Sequence, residues 1–142
     1  MEVNKLNVRV YALLVHEEKF LVLKETYAGE KLIKLPGGGL ELGESVHQTL
    51  IREFKEELNL TVEIGEHIYT QDFFLNSKFI KTEQLLTIYY YAKPLNINEL
   101  KIIDSDIDEL HWIPLKEIHE DFFPLPVDKV VAKIIREKLT NL

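Results

Sequence analysis

Four acidic residues and one arginine between Glu44 and Glu57 carry the strongest chemical signal in this sequence. Glu53, Glu56 and Glu57 stand at i, i+3 and i+4, so in a helix their carboxylates share one face. Like charges at that spacing weaken an isolated helix. A hard divalent cation that prefers oxygen, Mg²⁺ or Mn²⁺, turns the repulsion into coordination. Arg52 precedes Glu56 by four residues and adjoins Glu53, where a guanidinium can fix a carboxylate's direction. Upstream, Gly37, Gly38 and Gly39 permit positive φ and close backbone approach, so their carbonyls can meet a metal or their N–H groups a phosphate. Pro36 stiffens the entry to that run. Each feature alone has an ordinary reading, as a solvated acidic face or a surface turn. Their joint spacing points to a metal–phosphate site.

A helix must hold these carboxylates, and the sequence marks its start. Ser45 with Gln48 three residues on forms a capping box, and Val46, Leu50, Phe54 and Leu58 make an apolar stripe. Before the helix, Val8 to Val15 and Phe20 to Lys24 read as a hairpin whose turn is His16-Glu17-Glu18-Lys19, with His16 facing solvent. Tyr27 to Lys34 reads as a loop and short strand leading to the glycines. Lys24, Lys31 and Lys34 are the cations near them in sequence, and Lys24, at a strand end, is the candidate for meeting substrate phosphate. After the helix, Thr61 to Phe74 reads as a strand with a bulge or turn at Gly65, and Asn76 to Lys81 as a loop tip. Leu85 to Ala92 is a strong strand ended by Pro94. Its tyrosines are explained by β-propensity as packing residues, with one or two able to stack on a base.

Residues 95 to 107 read as a connection with a short strand or turn near Lys101, followed by Glu109 to Pro114 and a short helical pattern from Leu115 to Glu120. His111 and Trp112 alternate faces, so if Trp112 packs, His111 is turned away. Pro126 opens a helix to about Leu139, with Val130, Val131, Ile134, Ile135 and Leu139 as its buried stripe and Lys133, Arg136, Glu137 and Lys138 left wet. This order of elements predicts an α/β fold with a mixed sheet between helices.

The stretch from Leu35 to Leu60 resembles the Nudix box, G-x5-E-x7-R-E-U-x-E-E-x-G-U with U a bulky aliphatic. Gly38, Glu44, Arg52, Glu53, Glu56, Glu57 and Leu60 all stand in register. Phe54 occupies an aliphatic position, and Asn59 replaces the glycine after the helix. Asn is the next best residue in a left-handed C-cap, so the turn should survive. The resemblance implies a Nudix α/β/α sandwich with a mixed, curved sheet, and hydrolysis of a nucleoside diphosphate linked to another moiety, in the manner of MutT-like enzymes. It implies Glu53, Glu56 and Glu57 as metal ligands with a carbonyl from Gly37 or Gly38, and Glu53 as the in-box candidate for the base. It further implies that Arg52 orients carboxylates, that Glu44 ties the loop to the helix or supports the metal shell, and that Gly39 lies along the substrate. Some members add a carboxylate from the strand that carries a Trp; Glu109 is the candidate here, with Asp106 and Asp108 as rivals.

Family subgroups that act on ADP-ribose often carry a proline some fifteen residues past the box. Here no proline lies between Leu60 and Pro94, Asn76-Ser77-Lys78 stands where dinucleoside-polyphosphate enzymes place a tyrosine, and the NADH-type proline-rich signature is missing. A nucleoside triphosphate or modified nucleotide is then the default substrate, although Leu125-Pro126-Val127 supplies no side-chain amide to read a base. The alternatives are a nucleotide-sugar or ADP-ribose pyrophosphatase, a Nudix-like sensor that binds nucleotide without cleaving it, and an acidic helix on an unrelated domain. Sensors typically lose box carboxylates, and here all are present.

With 142 residues, the chain reads as one domain, 1–142. A net charge of −7 argues against coating a nucleic-acid polymer or an anionic membrane, but not against a nucleotide bound through metal. There is no cysteine, and the first twenty residues lack the pattern of a signal peptide or membrane helix, so a soluble cytoplasmic location is expected. Many relatives form homodimers; the sequence leaves that open.

Overall fold

The computed structural model describes residues 2–140 and places two helical layers on a mixed sheet. The strands are β1 (Lys5–His16), β2 (Lys19–Tyr27), β3 (Glu30–Lys34), β4 (Gly37–Gly39), β5 (Val62–Thr70), β6 (Glu83–Pro94) and β7 (Ile107–Pro114); the helices are α1 (Val46–Leu58) and α2 (Pro126–Thr140). The path β3-β2-β1-β6-β5 forms the body, with β4 against β1 and β7 against β2. Among the described residues only β1 and β6 run parallel, from Lys5↔Glu83 to Leu14↔Ala92.

Strand alternation sends side chains of β1 to both layers. Val10, Ala12 and Leu14, with Leu21 and Leu23 of β2, bury the α1 stripe of Leu50, Phe54 and Leu58. Tyr11 and Leu13, with Phe20, Val22 and Tyr89, pack on Val127, Val131, Ala132 and Ile135 of α2. Each fully buried Leu or Phe contributes about 2 kcal/mol by leaving water.

The hairpin expected between β1 and β2 is paired only at Val15↔Phe20 and His16↔Lys19. Beyond that the strands part, and β4 takes the vacated edge of β1 through Arg9↔Gly39, Val10↔Gly38 and Tyr11↔Gly37. The triple glycine is therefore paired strand rather than the turn its composition implies. Gly37 has φ +151°, and a Cβ there would overlap the Val10 carbonyl oxygen, so only glycine lets β4 lie this close to β1.

Several expected bounds shift. The strand expected to run to Phe74 ends at Thr70, with register breaks either side of His67 that fit the irregularity expected near Gly65. The helical pattern from Leu115 is two short 3-10 turns, Leu115–Glu117 and Glu120–Phe122. On α2, Val130 and Ile134 are only half-buried, while Val127, Asp128, Val131, Ala132 and Ile135 are buried. The helix is turned by about one position from the simplest reading of its apolar stripe, because its first turn packs beneath Tyr89. Arg136, expected to be wet, is half-buried and grips Glu120 with two bonds, of 2.7 and 2.9 Å.

Candidate active site

The capping box forms as expected: Ser45 Oγ accepts from the Gln48 N–H at 3.1 Å, and Gln48 Oε1 accepts from the Ser45 N–H at 2.8 Å. At the other end Asn59 adopts φ 56°, ψ 30°, in the left-handed C-cap, and donates its amide to the Glu99 carbonyl at 3.0 Å. Thus the α1 ends are fixed without the family's glycine.

Arg52 is the hub. Its Nε and Nη2 donate to Glu44 at 2.7 and 2.9 Å, Nη1 to Glu53 Oε1 at 2.9 Å and to Glu56 Oε2 at 3.3 Å, and Nη2 also to the Gly39 carbonyl at 2.8 Å. Glu44 further accepts from Thr49 Oγ1 and the Glu41 N–H, both at 2.9 Å. These contacts tie the loop after β4 to α1 through Glu44. Hydrogen bonds from Arg52 and the Glu41 N–H hold its carboxyl down at about 2, well below the usual range.

Glu53 and Glu57 come together on the side of α1 toward β4, while Glu56 is 60% exposed. The Glu53 carboxyl fills the space where Gly38 lacks a side chain; a Cβ on Gly38 would overlap it. Burial, and then the hydrogen bond and charge of Glu53, push the Glu57 carboxyl well up. Among the described residues no three acidic or histidine side chains are gathered as a complete metal shell. What stands here is a crowded pair of carboxylates, with the third glutamate one turn away and the Gly38 backbone alongside.

The structure does not bring Lys24 and Glu109 to this cluster. Leu21 and Leu23 face α1, so Lys24 and its register partner Glu109 lie on the opposite face of β2 and β7. Their groups stand 3.8 Å apart, and Glu109 Oε2 also meets His111 Nε2 at 2.7 Å. Trp112 packs against the core, so His111 is turned away as the alternation requires. The rival Asp108 accepts from Thr26 Oγ1 at 2.6 Å, while Asp106 bonds the backbone of Thr26 through its carbonyl.

Sequence reasoning missed Glu25, Arg9 and Tyr11 near the box, and it named Lys34 only as one of three nearby cations, preferring Lys24. Glu25 and Lys34 form an ion pair at 3.4 Å with both side chains nearly buried, and one Glu25 oxygen has no hydrogen-bond partner among the described residues. Arg9 donates from Nε to the Tyr11 hydroxyl at 2.6 Å. The sequence signal was the spacing Arg9-x-Tyr11 on one face of β1, unreadable until β4 was known to pair there. The connection after β6 is also drawn in: the N–H groups of Lys101 and Ile103 donate to the Leu58 and Glu57 carbonyls at 3.0 and 2.8 Å, closing the C-terminal end of α1.

Known proteins resemble this chain in sequence and in fold. A family model described as the NUDIX domain matches residues 5–137. Phosphatase NudJ of Escherichia coli strain K12 is 31% identical over 108 residues, which span 75% of this chain and 68% of NudJ. A Mycobacterium tuberculosis protein that carries the name MutT4 is 29% identical over 90 residues, 63% of this chain but only 36% of that protein, so the match spans about a third of its length. Among solved structures, a NUDIX hydrolase from Nitrosomonas europaea superposes with a TM-score of 0.76 at 20% identity, covering 94% of this chain and 90% of that one. At that identity the likeness is one of fold.

Proposed function

The chain belongs to the Nudix hydrolase family, and on that premise we propose that it is a MutT-like, Mg²⁺-dependent pyrophosphohydrolase of a nucleoside triphosphate or modified nucleotide. The carrying observation is the Glu53–Glu57 pair, held against Gly38 and oriented by Arg52. The donor set fits a hard divalent cation: two crowded carboxylates, Glu56 next to Glu57 and more exposed, and a carbonyl of Gly37 or Gly38. Mg²⁺, with Mn²⁺ as a substitute, would neutralise the phosphoryl oxygens and lower the pKa of bound water.

The protein's own part is positioning. Arg52 holds Glu53 through Oε1 and so fixes the direction of the carboxyl that would meet the cation or take the proton of the attacking water. The water oxygen bonds to phosphorus, its proton passes to Glu53, and the phosphoanhydride bond breaks, with the leaving phosphate keeping the electron pair. Glu44 takes no proton; held by Arg52, Thr49 and the Glu41 N–H, it keeps the loop after β4 attached to α1. The retained carboxylates support catalysis over a silent sensor, and the setting is a soluble cytoplasmic one. No helix among the described residues is long and apolar enough to cross a membrane.

Product identification by mass tests this, using dNTPs, oxidised dNTPs, ADP-ribose, nucleotide sugars and dinucleoside polyphosphates with Mg²⁺. Turnover should need the cation and fall by about a hundredfold or more in Glu53→Gln and Glu57→Gln. A rate confined to ADP-ribose or to nucleotide sugars would replace the triphosphate reading. Cation-independent turnover, or turnover that survives both substitutions, would overturn the mechanism.

A further inference from the structure

Two cations converge on one aromatic ring beside the box. The Arg9 guanidinium carbon and Lys34 Nζ each lie 5.7 Å from the centre of the Tyr11 ring. Both arise from the parting of β1 and β2: Arg9 and Tyr11 lie on the length of β1 that β4 covers, and Lys34 ends β3 just before the glycines. Tyr11 is nearly buried and is itself braced by the Tyr89 ring, with centres 5.5 Å apart.

Like charges gathered in a partly buried cleft repel unless something offsets them. Lys34 has Glu25 at 3.4 Å, an ion pair whose side chains are 13% and 8% exposed. Burial pulls the Lys34 ammonium down, but Tyr11 and Glu25 more than restore it, so it stays charged. Arg9 differs. Its Nε is fixed by the Tyr11 hydroxyl, while among the described residues neither Nη donates to a protein acceptor and no carboxylate pairs with it. Nη1 passes 3.5 Å from where a Cβ on Gly39 would stand, so the fork lies along the bare glycine edge of β4. Arg9 also feels the charges of Glu53 and Glu57 without contacting either. A guanidinium that served only to balance those glutamates would gain most by pairing with them, as Arg52 does. Arg9 is instead aimed by Tyr11 with its planar fork unused, the arrangement that receives a phosphate in two parallel bonds.

We propose that Arg9 and Lys34, mounted on Tyr11, form an anion receptor that takes one phosphate of the bound phosphoanhydride, beside the Glu53–Glu57 pair. This rests on the hydrolase reading above for the identity of the anion, but not for the existence of the receptor. It assigns the phosphate contact to Arg9 and Lys34 rather than to Lys24, which is engaged by Glu109. Lys34 acts as a point charge held by Glu25, and Arg9 as the directional partner.

Calorimetric titration of the full chain with inorganic pyrophosphate in the presence of Ca²⁺ tests the receptor without requiring turnover. Arg9→Gln should weaken pyrophosphate at least about tenfold, Arg9→Lys should recover part of the loss, and Lys93→Gln, at the end of β6 away from Arg9, should match wild type. Lys34→Gln orphans Glu25, so it is measured with the double variant Lys34→Gln/Glu25→Gln, and melting temperatures certify the fold of each. With nucleotide, Arg9→Gln should raise KM about tenfold while kcat changes little. Equal pyrophosphate affinity in wild type and Arg9→Gln overturns the receptor and leaves the hydrolase reading intact. So does a wild type that turns over nucleotide yet binds no pyrophosphate. Pyrophosphate binding lost in Arg9→Gln, with no nucleotide turned over, keeps the receptor and sinks the catalytic reading.

Discussion

Gly38 and Glu53 are two halves of one steric arrangement: the missing Cβ is the room the carboxyl occupies. Gly38→Ala should therefore displace Glu53 and lower kcat by about a hundredfold, while the melting temperature moves much less; steady-state kinetics beside thermal melts checks this. Arg52 acts through what it holds. Arg52→Ala should cost about 10- to 100-fold in activity by freeing Glu44 and Glu53 together, which cation affinity measured on the same variant would register. The Glu44 carboxyl, held at about 2, carries a pH signature. Its folded form binds a proton less readily than the unfolded chain does. Its contribution is thus present above the ordinary carboxylate range near 4 and is lost as pH falls through about 2. Acid unfolding of Arg52→Ala should begin at higher pH than that of wild type.

At the scale of elements, α1 is fixed by its own sequence and α2 by its neighbours. The capping box, the Asn59 cap and the apolar stripe all lie within α1 or next to it. By contrast, α2 is tied at its first turn by Asp128, whose Oδ1 accepts from the Tyr89 hydroxyl at 2.6 Å while Oδ2 has no partner. Burial raises the Asp128 carboxyl to about 6. Because the folded state holds this proton more tightly, the stabilisation is complete below about 4 and disappears as pH rises through about 6. Asp128→Asn should flatten that slope, gaining on the order of 2 to 3 kcal/mol over wild type at pH 8, measured by urea unfolding across the range. Farther along the helix, Arg136 and Glu120 fasten the 3-10 turn to α2.

At the scale of the whole molecule, the candidate active site lies where the sheet divides. The β1 and β2 strands share a turn, then separate, one joining β6 and β4, the other β3 and β7. Box glutamates approach that division from the α1 side, and Arg9, Lys34 and Glu25 come from the strands that border it. Cation binding should be felt by the entire fold. At a hundred times its dissociation constant, the proposed Mg²⁺ would stabilise by about 2.7 kcal/mol, or about 5 to 10 °C in melting temperature for a chain of this size. Glu53→Gln and Glu57→Gln should abolish the shift, and Glu56→Gln, whose carboxylate is the most exposed of the three, should reduce it.

The sequence by itself determined the box. Caps, stripe and carboxylate spacing are short-range properties of one helix, and helical geometry converts them directly into faces. Strand composition and alternation likewise gave the mixed α/β architecture and the packing of Trp112 away from His111. The tertiary structure alone decided which surroundings the box would have. A strand's sequence gives its two faces but not its neighbours, so the parallel union of β1 with β6 and the insertion of the glycines at β1 were not legible. That pairing left Lys24 engaged with Glu109 and gathered Arg9, Tyr11, Glu25 and Lys34, four positions whose only shared property is the gap between two strands.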